Sequence, residues 1–179
     1  MPGSVKNFIL VFVLFLTNII VIAQQNNDYL IKIHQGEYDE PGVNTAYVNA
    51  SGDTIIPFNK YYYCYTDTLR NFAIVIDTLK DLIAIDKNEN VLFEVFWCDN
   101  GPDYISDGLF RILKDDKIGY ANEKGQIIIE PQFTCAFPFK NGIAKVSNDC
   151  SSQQDHEHTK WISDSWFFID KSGTRIAKP

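Results

Sequence analysis

Four short turns, each opened by Asn or Asp, constrain what this chain can fold into more than any other feature. They read Asn49-Ala50-Ser51-Gly52, Asp86-Lys87-Asn88-Glu89, Asn122-Glu123-Lys124-Gly125 and Asp170-Lys171-Ser172-Gly173. Each follows a short apolar or aromatic run and precedes another. The opening side chain can accept a hydrogen bond from the backbone ahead, which favours a type I turn, and Gly in fourth place takes the left-handed conformation that closes it. Such a turn joins two antiparallel strands through a small bulge. The openers fall at 49, 86, 122 and 170, so they recur after 36 or 37 residues and then after 48. Recurrence at this spacing marks a repeat architecture built from one supersecondary unit. Glu89 breaks the grammar of the second turn. The expectation there is that Asn90 takes the left-handed position or that the turn slips by one residue.

The third unit is the cleanest. Its pattern predicts strands over Leu109 to Leu113, Lys117 to Asn122 and Gln126 to Glu130, with tight turns at Lys114-Asp115-Asp116 and Glu123-Lys124-Gly125. Pro131 has no N–H to give to a ladder and ends the third strand. Pro57 and Pro179 stand in the same place in the first and fourth units. The first strand recurs as Leu30 to Ile33, Phe72 to Val75 and Ile143 to Val146. The second recurs as Ala46 to Val48, Ile83 to Ile85 and Phe167 to Ile169, and the third as Thr54 to Ile56, Val91 to Phe93 and Arg175 to Ala177. The four units span approximately 29–71, 72–106, 107–141 and 142–179. An insertion over 148–165 lengthens the last one. Insertions of this kind map to surface loops, often on the binding face.

Composition agrees with strands. Thirteen Phe, nine Tyr and many Ile and Val favour a pleated sheet, while a single Met and few Ala leave little material for helices. The predicted fold is all-β: about four short three-stranded antiparallel units, stacked as a β-repeat array or arranged like a propeller. One domain over 24–179 contains them.

These residues resemble the WG-repeat family of bacterial proteins, whose copies run roughly Gly-Leu-Ala-x-Val, Lys-Trp-Gly-Tyr-Ile-Asp and Lys-Gly-Lys-Ile-Val-Ile-x-Pro-x-Phe. Here Lys117-Ile118-Gly119-Tyr120-Ala121-Asn122 matches with Ile118 in place of Trp, and Lys124-Gly125-Gln126-Ile127-Ile128-Ile129-Glu130-Pro131-Gln132-Phe133 matches closely. The Trp-Gly pair itself is absent from every copy. The resemblance implies a β-rich repeat module, often exported, that mediates interactions, and it carries no catalytic residue across.

Residues 8–23 form an apolar run behind Lys6, broken by Thr17 and Asn18 and ending on Val21 and Ala23. This predicts a signal peptide over 1–23, cleaved after Ala23, and an exported chain that is periplasmic, secreted or at the cell surface and not integral to a membrane once cut. Net charge is −7 and the cations are scattered, which speaks against a nucleic-acid partner.

Four cysteines, Cys64, Cys98, Cys135 and Cys150, follow the leader, and an even count in an exported chain allows disulfides. Three of them occupy the connections that leave consecutive units. Stacked units would bring those connections together, so Cys98 with Cys135 is the first-choice bridge, Cys64 and Cys150 pairing or staying free. Four buried reduced thiols are the alternative. Within the insertion, Cys150, His156 and His158 offer a thiol and two imidazoles that could hold a divalent metal, although their spacing matches no established zinc pattern and a polar exposed loop is the favoured reading. No metal and no cofactor is therefore predicted.

Lys32, Arg111 and Lys145 share one position in the first strand. They are expected to be solvated outer-face residues, with a basic stripe along one edge as the alternative. Aromatic groups at Tyr61 to Tyr65, Phe96-Trp97, Trp161 and Trp166 could be stacking platforms, or filling for the core between units. No nucleophile elbow or phosphate loop is present, so the expectation is a non-enzymatic module that binds a protein or a glycan. The alternatives are an envelope hydrolase with paired carboxylates in a groove between units, and a metal-binding protein using the 150–158 loop.

Overall fold

The computed structural model describes residues 28–155 and 158–177, so the apolar leader and its cleavage site after Ala23 lie outside the described residues. Every described element is a strand. The first unit contains β1 (Leu30–Gln35), β2 (Asn44–Val48) and β3 (Thr54–Ile56), followed in its outgoing connection by β4 (Tyr63–Cys64) and β5 (Thr68–Leu69). The second contains β6 (Ala73–Ile76), β7 (Leu82–Ile85) and β8 (Val91–Val95), then a small hairpin of β9 (Trp97–Cys98) and β10 (Gly101–Pro102). The third contains β11 (Leu109–Lys114), β12 (Lys117–Asn122) and β13 (Ile127–Phe133), then β14 (Cys135–Ala136). In the fourth, β15 (Ile143–Ser147) is separated by the insertion strands β16 (Ser151–Asp155) and β17 (His158–Ile162) from β18 (Phe167–Asp170) and β19 (Arg175–Ile176). Within each unit the first strand pairs antiparallel with the second and the second with the third.

The repeated turns form because the Asx side chain satisfies the backbone that a sharp reversal would leave unpaired. Asn49 Oδ1 accepts from the N–H groups of Ser51 and Asp53, and Asn122 Oδ1 from those of Lys124 and Gln126. Asp86 does the same with Asn88 and Asn90, and Asp170 with Ser172 and Thr174. Side-chain bonds from Asn90 to Asp86 and from Ser172 to Asp170, with these backbone bonds behind them, favour the ionised carboxylate and hold both below the usual range. In the second turn neither alternative expected at Glu89 occurs. Glu89 itself adopts φ 63° and donates its N–H to Asp86 O, so the turn keeps its length. The cage around Asp86, reinforced by Asn90 Nδ2, outweighs the strain of a side chain in the left-handed region. A fifth turn of this type at Asp77, closed by Lys80 at φ 75°, joins β6 to β7. Its sequence, Asp77-Thr78-Leu79-Lys80, lacks the closing glycine that three of the other four turns carry.

The units join unequally. Strands β8 and β11 pair directly, so the second and third units share a seven-stranded sheet, completed at one edge by β4. The first and fourth units form separate four-stranded sheets, and β14 pairs with β15 where the third unit passes into the fourth. Three apolar clusters follow the chain. One joins Tyr47 and Ile56 to Val75 and Ile85, a second joins Ala84 and Phe93 to Phe110 and Ile112, and the third joins Tyr120 and Ile129 to Val146 and Ile169. Each sits between consecutive units, which is how stacked repeats bury faces that no single unit could bury alone. Strand β7 reads Leu-Ile-Ala-Ile without alternation because Ile83 and Ile85 enter the first cluster while Leu82 and Ala84 enter the second.

Gly119 explains the glycine of the repeat pattern. A Cβ there would lie 2.6 Å from Pro131 N and 2.8 Å from Glu130 C, because β13 bulges over it. Those neighbours are backbone and cannot give way. Lysines in the turns also tie unit to unit: Lys87 Nζ bonds Asp28 O at 2.7 Å and Lys171 Nζ bonds Asp107 O at 2.5 Å. Asp28 and Asp107 both stand two residues before the leucine that opens the first strand, so this contact is itself repeated.

The expected Cys98–Cys135 bridge is not formed. Cys135 is bonded to Cys150, fifteen residues on, while Cys64 and Cys98 are free thiols. The outgoing connections are not equivalent: Cys98 turns back on itself in the β9–β10 hairpin, whereas Cys135 lies in a strand opposite Ser147. The chain leaving Ser147 returns Cys150 to Cys135, with a Cα–Cα distance of 6.2 Å.

Candidate binding cleft

Two of the first-strand cations, Lys32 and Arg111, are enclosed rather than solvated, contrary to expectation, and the three form no open stripe. Each lies against an aromatic ring contributed by a connection. Lys32 Nζ stands 5.4 Å from the ring centre of Tyr63, Arg111 Cζ 4.1 Å from Phe96, and Lys145 Nζ 5.7 Å from Phe137 and 4.5 Å from Trp166. A cation over a ring face is attracted by the ring's quadrupole, and the aliphatic stem packs on the same surface. The fourth unit's partner ring, Trp166, follows the insertion.

What completes each cation differs. The Lys32 side chain is 5% exposed and bridges Asp39 at 2.5 Å and Asp67 at 2.7 Å. Burial alone would push its ammonium down, and the hydrogen bonds to both carboxylates reverse this, leaving it above the usual lysine value. Asp39 is likewise desolvated, yet the donors Lys32 and Tyr63 hold it below the usual carboxylate range. Tyr63, buried and hydrogen-bonded to Asp39, is pushed up to about 12. Arg111 is sealed more completely. Its Nε and Nη2 donate to the two oxygens of Asp103 at 2.9 and 2.6 Å, its Nη1 donates to Ala136 O, and its own backbone N–H reaches Asp103 Oδ2. The Asp103 carboxylate is thereby matched on both oxygens, a geometry that tolerates burial. Desolvation opposes the Arg111 charge, and the bonds to Asp103 outweigh it and raise its pKa.

Lys145 has the rings and no carboxylate: among the described residues none lies within ion-pair distance. It lines instead an open cleft of about 590 Å³ at the junction of the third and fourth units. Its lining combines Tyr104 and Ser106, the segment from Phe137 to Asn141, and Ile143, Lys145 and Phe168. Tyr104 is 59% exposed and Phe137 39% exposed. The lining contains two lysines, Lys140 and Lys145, and no Asp or Glu.

Several backbone groups of the lining are already hydrogen-bonded. Phe137 N–H donates to Lys145 O, Lys140 and Ile143 exchange both bonds around the Asn141-Gly142 turn, and Phe139 O accepts from Ser106 Oγ. The buried Tyr120 hydroxyl donates to Phe137 O at 2.7 Å, and Tyr47 repeats this contact in the first unit by donating to Thr66 O at 2.6 Å. In the fourth unit the same position is Phe168, which has no hydroxyl and faces the cleft. The insertion buttresses the back of the cleft, since Trp161 of β17 packs edge-on to Phe96 and Phe137 with ring centres 5.9 and 5.4 Å apart.

Of the site residues expected from sequence, Cys150 is engaged with Cys135 and its sulfur is no longer a thiolate ligand. His156 and the side chain of His158 lie outside the described residues. Among the described residues no group of three His, Cys, Asp or Glu is placed to hold a metal. The tyrosine run is divided: Tyr61, Tyr63 and Cys64 are buried while Tyr62 is exposed, so both faces of that segment contribute to packing. Trp161 and Trp166 do meet at one cluster through Phe137. Tyr104, Phe137 and Phe168 carry no sequence signal of their own. The cations, read together with the rings in the connections, would have pointed to them.

A family model, that of the WG containing repeat, matches residues 118–149, from β12 to the base of the insertion. No curated protein and no solved structure matches the chain.

Proposed function

We propose that this chain, whose segment 118–149 is a WG containing repeat, is an exported, non-enzymatic binding module, and that its partner, a glycan or a protein segment, seats in the cleft between the third and fourth units. The observation that carries the reading is the lining itself: exposed rings of Tyr104 and Phe137, Phe168 and a few polar groups in a concavity of about 590 Å³. Pockets of that size, mostly apolar with a small number of placed polar groups, are where proteins take small ligands or the anchoring part of larger ones. The Cys135–Cys150 bond supports export, since disulfides persist in oxidising compartments. This cleft lends the hydrolase alternative no support, because its lining offers no carboxylate to act as acid or nucleophile. The metal alternative loses the Cys150 thiolate.

Calorimetric titration of the leader-free chain with a panel of neutral and acidic oligosaccharides and of unstructured peptides tests the reading. Binding by at least one probe is expected, weakened about tenfold or more by Phe168→Ala. Equal binding by the parent and Phe168→Ala for every probe that binds would place the partner elsewhere.

A further inference from the structure

Three cations hold one repeat position, and the two that are enclosed show what that position requires. Lys32 and Arg111 each combine a ring face with a carboxylate supplied by a connection. Lys145 keeps the ring faces of Trp166 and Phe137, and among the described residues it lacks the carboxylate. In its place is the open cleft. The geometry points to a ligand carboxylate as the missing partner, and we infer that the cleft takes an acidic glycan, a sugar chain bearing uronic acid carboxylates, with one carboxylate on Lys145. The inference rests on the cleft being the binding site proposed above.

Two features favour a sugar over an acidic peptide. Both backbone groups of Phe137, the Phe139 carbonyl and the paired groups of Lys140 and Ile143 are already hydrogen-bonded within the protein, which leaves few along this lining for a peptide strand to pair with. Exposed ring faces at Tyr104 and Phe137 beside an ammonium suit a ring-shaped ligand whose apolar face stacks while a carboxylate projects from its edge. Lys140 on the rim adds a second positive charge, in a chain whose net charge is −7. An acid-lined pocket would repel such a ligand, and this lining has no acid.

The test compares a short oligomer of galacturonic acid with its methyl ester, which has the same rings and no charge, and with oligoglutamate. The leader-free chain is expected to bind the acid about tenfold or more tightly than the ester. Lys145→Met, which keeps the stem and removes the charge, should erase that preference, and Lys145→Arg should retain it. Melting curves of both variants matching the parent would show that the fold is intact. Equal affinity for acid and ester, or a preference that survives Lys145→Met, overturns the inference. Tighter, Lys145-dependent binding of oligoglutamate overturns the choice of a sugar. Failure of both uronate forms also overturns it, while the cleft reading stands if another probe binds in a Phe168-dependent way and falls if none does.

Discussion

Arg111 and Lys145 occupy one position in consecutive units, two residues into the ladder of a first strand, and they meet opposite fates. Arg111 is closed in by Asp103, Phe96 and the carbonyl of Ala136. Lys145 is flanked by two rings and faces a cleft. The difference lies in what the connection before each strand delivers. Between the second and third units, the β9–β10 hairpin is followed immediately by Asp103, and the Asp103 N–H donates to Phe96 O, which fixes the carboxylate over the guanidinium. Between the third and fourth, the connection from Phe137 to Asn141 brings rings, a proline and a lysine but no acid. One repeat position thus holds a structural ion pair in one unit and, in the next, a lysine beside an open cleft.

The sharpest way to break this comparison is to remove the partner that seals Arg111. Asp103→Leu leaves a buried guanidinium uncompensated and is expected to lower unfolding free energy by about 3 to 5 kcal/mol in denaturant titration. Adding Arg111→Met to Asp103→Leu should restore most of that loss, because paired apolar replacement removes both desolvated charges. Lys145→Met should stay within about 0.5 kcal/mol of the parent, since that cation faces solvent. If Asp103→Leu is equally silent, the two positions do not differ in the way described.

Reducing the Cys135–Cys150 bond is expected to have the next largest effect. It closes a loop of fifteen residues, and a link of that length contributes about 3 kcal/mol by chain entropy. Unfolding with and without a dithiol reductant measures the change. Hydrogen exchange should rise in β16 and β17 while the turn at Asp86 keeps its protection, because the second unit has no covalent dependence on the insertion. Uniform loss of protection would show that the units are one cooperative block.

The smallest effect is confined to acid. Asp39 is held below its ordinary value of 3.8 by donors that outweigh its desolvation, so the folded state binds its proton less readily than the unfolded chain does. Its contribution to stability is present above that ordinary value and disappears as pH falls through the lower folded one. Asp39→Asn should flatten the stability profile below about pH 4 and leave the Arg111 region unchanged. A profile with the same acid limb would mean that the Lys32 cluster does not sense pH.

Much of the scaffold was legible in the sequence because its determinants are local. An Asx side chain and the N–H groups two and four residues ahead are within reach whatever the rest of the chain does, so the turns at 49, 86, 122 and 170 could be placed from residue type alone. Glu89 was misjudged because the cage that holds it uses the side chain of Asn90 as well as its backbone. The cysteine pairing was misjudged because it assumed equivalent connections, and β9–β10 is a hairpin with no counterpart in the other units. The cleft is not legible in the sequence for a related reason: Tyr104, Phe137, Lys145 and Phe168 come from four separate segments and resemble ordinary strand and loop residues one at a time.

The amino-acid order alone established the recurrent turn, the three-strand grammar of each unit and the all-β class, since these follow from hydrogen bonds and sterics within a few residues. Packing in three dimensions decided which cysteine meets Cys135, which cation is sealed and which faces the cleft, and where the rings of the insertion come to rest. Those outcomes depend on how each connection folds back onto the next unit: Asp103 stands only eight residues before Arg111, yet residue order does not say that its carboxylate returns over the guanidinium while the connection before Lys145 leaves a cleft.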